Sequence, residues 1–139
     1  MARCYSHLVP RLKPLPQIWL ISDARNDAAL ERALRPLPRG SGFIYRHYHL
    51  DETARRARFA RLARLARARG HMVALAGTRA QARAWGADLA YGAGADLAPV
   101  HSMREIGRVR GATALLLSPV FPARSHPGAP SLGPLRFRL

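Results

Sequence analysis

Six short apolar runs limit what this chain can fold into: QIWLIS (17–22), GSGFIYRHYHL (40–50), HMVALAG (71–77), ADLAYG (87–92), DLAPVHS (96–102) and ATALLLSPVF (112–121). Each has the length and the apolar continuity of a buried strand rather than of a helix. Helix-like segments separate most of them. Asp27 is placed to cap AALERALR, which must stop before Pro36. In 51–70, Asp51 is a candidate N-cap, Phe59, Leu62, Leu65 and Ala66 recur at helical spacing, and Gly70 supplies a stop. Thr78 opens RAQARAW before Gly86, and Ser102 with Glu105 has capping-box spacing ahead of MREIGRVR and Gly111. Strands alternating with helices over short connections predict an α/β fold with a parallel sheet. Its most buried strand segments are expected at 43–48, 71–76 and 114–118, and its ligands at the C-terminal strand ends.

Composition narrows the function. At 139 residues the chain holds one domain, read as a proline-rich lead over 1–16 and a folded domain over 17–139. The formal charge of +15 points towards anions, yet Lys13 is the only lysine among 23 basic residues and alanine is abundant. That Ala/Arg bias is a coding signature, so nucleic acid is not the expected partner, and the arginine-rich face of 51–70 reads as a solvated surface. Cys4 is alone, which excludes a disulfide framework. The start has no apolar core of a secretory signal and no run reaches membrane-span length, so a cytoplasmic protein is expected.

The run SPVFPARSHPGAPSLG (118–133) resembles the GPVFPT-x-TK…G strand and loop of the thiamine phosphate synthase and TenI family. IWLISD resembles that family's first strand, FIYRHY its second (V-Q-L-R-x-K), WGADLAYG its GADGVHLG region, and VHSMREI its VHSxEEA segment. The resemblance implies a TIM (βα)8-type barrel, incomplete here with about six βα units, since a closed barrel takes about 200 residues or more. It implies a transferase of thiamine biosynthesis that couples hydroxymethylpyrimidine diphosphate with thiazole phosphate and releases pyrophosphate, with Mg²⁺ assisting. Its implied partners are small phosphorylated substrates. Two alternatives stand beside it: a TenI-like thiazole tautomerase, and a non-catalytic basic remnant that binds anions.

Site residues follow from the matched positions. Arg46 keeps the second-strand arginine, and Ser125 and His126 replace the loop threonine and lysine, all three as phosphate binders. His101 matches the TenI acid/base histidine. Ile44 and Tyr48 stand where the family has Gln and Lys, AGTR lacks the Asn-Asp pair, and Asp96 is out of register, so Mg²⁺ ligands are not found. His47 and His49 alternate along one strand, a spacing that can make a metal pair, but with no third ligand evident core or edge histidines are the expectation. Trp19 and Trp85 read as packing residues. Open first and sixth strands predict self-association through sheet edges.

Overall fold

The computed structural model describes residues 14–122, 128 and 130–137. Six parallel strands lie side by side in chain order: β1 (Trp19–Ile21), β2 (Gly42–Tyr45), β3 (Met72–Ala76), β4 (Leu89–Tyr91), β5 (Leu97–Val100) and β6 (Ala114–Leu117). The sheet is a curled half-barrel with β1 and β6 as its edge strands among the described residues. A short 3-10 turn at Asp27–Ala29 leads into α1 (Leu30–Leu34); α2 (Glu52–Ala68), α3 (Arg79–Trp85), α4 (Met103–Ile106) and α5 (Gly133–Phe137) follow. No helix among the described residues is long and apolar enough to cross a membrane.

Alternation along the strands sorts side chains between two faces. Phe43, Tyr45, Val73 and Leu75 meet Leu30, Leu34, Phe59, Leu62 and Ala66 in the core beneath the helices. Ile44, Ala74 and Leu97 lie on the other face, with Trp19, Ile21, Leu89, Tyr91, Ala114 and Leu116 only partly covered. β6 therefore differs from the expectation: its residues are half-buried or exposed, because one flank has no strand beside it among the described residues. In β2 the buried strand stops at Tyr45, and His47 is buried beyond it in a turn.

Helix ends follow local chemistry closely. Asp51 accepts from Ala54 N–H, and Thr78 from Gln81 N–H. Gly70 at φ +75° closes α2 with Gly70 N–H on Arg67 O and His71 N–H on Ala66 O, the paired bonds that satisfy a helix's last carbonyls. Two expectations need correction. Asp27 caps nothing; Asn26 precedes the 3-10 turn and the Asp27 carboxylate is drawn to Arg58 and His47 instead. α4 ends at Ile106 rather than near Gly111, and Glu105 accepts from His101 N–H, one residue ahead of the Ser102 cap.

The arginines of α2 do not all face water. Arg55 is buried, its guanidinium bonded to Arg46 O and Ala76 O and stacked near Tyr48 and Trp85. Arg58 bridges Asp27 and Glu31 of the preceding segment.

The β4–β5 connection is short. A parallel crossover usually takes a dozen residues or more, whereas five separate Tyr91 from Leu97, so the two strands share one register pair. Asp96 fastens this step, accepting from Ala90 N–H and Arg79 Nε–H, while Arg79 also reaches Gly111 O. Pro99 fits here because residues of its parity, like Leu97, turn their backbone towards β4, which has already ended.

Candidate functional site

The C-terminal rim of the sheet carries the polar side chains that the apolar strands cannot. Arg46 follows β2, two residues beyond Ile44 of the concave face. Its guanidinium lies 6.0 Å from the Tyr48 ring, and its charge acts on the Tyr91 phenol at the end of β4. Burial pushes that phenol above its ordinary value, and Arg46 partly opposes the rise. No ion pair among the described residues involves Arg46, and the pairing with Asp51 or Glu52 that its sequence position allows is not formed.

His101 follows β5 and is exposed. Its N–H donates to Glu105 Oε2 at 2.9 Å, and its Nδ1 stands 2.8 Å from Ser118 O at the end of β6. A carbonyl only accepts, so Nδ1 carries a hydrogen, and in the neutral ring the lone pair is on Nε2. The His101 N–H is also the main cause that holds Glu105 below the ordinary carboxylate range. Ser125 and His126 lie outside the described residues.

On the helix side of the same rim the chain builds a second cluster. His47 is fully buried at φ +43°, its ring stacked 4.5 Å from Tyr45. His47 Nδ1 lies 2.9 Å from Ser22 Oγ, which also accepts Arg46 N–H. Nε2 lies 2.8 Å from Asp27 Oδ1, an ion-pair distance, but out of line for a well-formed N–H bond. His49 completes the group, its ring 4.9 Å from that of His47. The ligand atoms of Asp27, His47 and His49 fall within 4.8 Å of one another. Partial burial works against ionising Asp27, but His47 and Arg58 outweigh it and hold the carboxyl below its ordinary value. The third group that the sequence lacked beside the two histidines is thus Asp27. Parallel pairing of Ile21 with Ile44 lays the segment after β1 beside the segment after β2; nothing in the spacing of 27, 47 and 49 signals it.

The residues do not fit a Mg²⁺ site of the implied kind. Mg²⁺ favours oxygen ligands, whereas the one ion-holding group among the described residues contains two imidazoles. Asp96, the nearest sequence candidate, is committed to Ala90 and Arg79. A cleft of about 950 Å³ lies at the opposite end of the sheet among Pro16, Ile18, Ser41, Met72 and Asp88, where the strands begin.

Comparison with protein-family models, with curated proteins and with solved structures finds no significant match.

Proposed function

We propose that the chain binds a phosphorylated thiazole on the concave rim and moves a proton on it through His101. This is the tautomerase form of the thiamine phosphate synthase and TenI resemblance. The observation that carries the reading is the Ser118 carbonyl at His101 Nδ1, which puts the lone pair of the neutral ring on Nε2, the proton acceptor of this reading. In this reading Nε2 takes a proton from one ring position and returns it at another, so no proton is gained or lost. Arg46, with no carboxylate partner among the described residues, receives the phosphate. Ser125 and His126 are proposed as further phosphate donors. The coupling reaction of the synthase asks more of the chain, because a diphosphate leaving group needs Mg²⁺ carboxylates that the rim does not supply.

Deuterium exchange into a thiazole phosphate, followed by NMR, tests the reading. His101→Ala must abolish exchange while binding persists, and Arg46→Ala must weaken binding. Mg²⁺-dependent release of pyrophosphate from the pyrimidine diphosphate would install the synthase instead. Failure to bind either compound would leave the anion-binding remnant.

A further inference from the structure

We infer that Asp27, His47 and His49 form a binding site for a divalent transition-metal ion of the zinc or cobalt type. The site is separate from the concave rim and rests on different atoms. Its anchor is His47 Nε2, fully buried and 2.8 Å from the Asp27 carboxylate, but poorly aligned for an N–H bond to it. A buried polar nitrogen whose contact is badly aligned forgoes much of what a hydrogen bond contributes. An ion on its lone pair makes good that loss.

The placing of His47 against Asp27 agrees with ligation. Two ligands at about 2.0–2.1 Å from one ion stand about 2.8–3.3 Å apart when they subtend angles between octahedral and tetrahedral values. The 2.8 Å from Nε2 to Asp27 Oδ1 falls at the lower end of that span. The oxygen lies off the N–H direction, as a neighbouring ligand does and a hydrogen-bond acceptor does not.

Outer partners also suit the role. Ser22 Oγ stands 2.9 Å from Nδ1 and orients the ring so that Nε2 faces the Asp27 carboxylate, and Ser22 is itself fixed by Arg46 N–H. Arg58 grips Asp27 through Oδ1 and the Asp27 carbonyl, which orients the carboxylate. Its charge also competes with an ion, so the site is of moderate strength. His49 is exposed and supplies the third ligand from the solvent side, leaving the remaining positions to water. Two imidazoles with one carboxylate favour zinc, cobalt or nickel over Mg²⁺ or Ca²⁺.

Titration of the whole chain with Co²⁺, read by its visible absorption, and with Zn²⁺, read by calorimetry, tests the site. One equivalent must bind, and the His47 ring resonances must take a paramagnetic shift with Co²⁺. His49→Ala removes an exposed ligand without touching the core, so the metal-free melting temperature must stay unchanged while affinity falls about tenfold or more. Asp27→Asn must lower affinity as well, and comparing its melting temperature with and without Zn²⁺ separates ligand loss from a weakened fold. No binding of either ion, or binding that His49→Ala leaves unchanged, would overturn the site. Neither result bears on proton transfer by His101.

Discussion

Replacing Arg55 by methionine and by alanine separates what its guanidinium contributes from what its stem contributes. The guanidinium donates to Arg46 O at 2.8 Å and to Ala76 O at 2.6 Å, tying together the C-terminal ends of β2 and β3. Hydrogen bonds from a charged donor contribute about 1.5–3 kcal/mol each. Stacking on Tyr48 at 4.9 Å and Trp85 at 5.2 Å adds about 1 kcal/mol. Against this stands the desolvation of a cation in a side chain only 7% exposed, which costs several kcal/mol. Arg55→Met keeps the stem, relieves the desolvation and orphans two carbonyls, for a net loss of about 1–2 kcal/mol. Arg55→Ala also loses two packed methylenes at about 0.8 kcal/mol each, for a total near 3 kcal/mol. Urea unfolding followed by tryptophan fluorescence measures both, with Trp85 as a local reporter. If Arg55→Met proves as stable as the parent or more so, the carbonyl bonds contribute nothing beyond the desolvation they offset, and the reasoning fails.

Gly42→Ala drives a Cβ to within 2.1 Å of the Trp19 ring; it should cost about 1–3 kcal/mol and shift Trp19 emission, seen in the same unfolding curves. Asp96→Asn loses the charge that holds Arg79 at the β4–β5 step, and hydrogen exchange should speed up in β5 and β6 before it does in β2 and β3. Acid should destabilise the fold. Asp23, Asp27, Glu31 and Asp96 all have lowered values when folded, Asp23 reaching about 2 through its Arg25 bond. The stability these groups contribute is present above their unfolded values, near 4, and disappears as pH falls through the lower folded values; a flat melting temperature from pH 5 to pH 2 would refute this. The edge strands β1 and β6, with Ile18 and Leu115 exposed, predict concentration-dependent self-association by size exclusion.

Local chemistry was written in the sequence. Asp51, Thr78 and Ser102 cap the helices they precede, and Gly70 and Gly86 end α2 and α3, because a cap depends on neighbours within a few residues. The strand order was also legible, since apolar runs alternating with helical periods leave a parallel sheet as the economical arrangement. Arg46 and His101 could be placed at strand ends on the same grounds. What lay beyond reach depends on pairs far apart in the chain. The buried state of Arg55 follows from the carbonyls of Arg46 and Ala76, which meet only when β2 and β3 pair in register. The half-buried β6 reflects an edge, which no run of leucines can announce. The tautomer of His101 was fixed by Ser118, seventeen residues later. Asp27 joined His47 and His49 only because β1 and β2 lie parallel, so that residues following each strand converge at one rim while remaining about twenty positions apart in sequence.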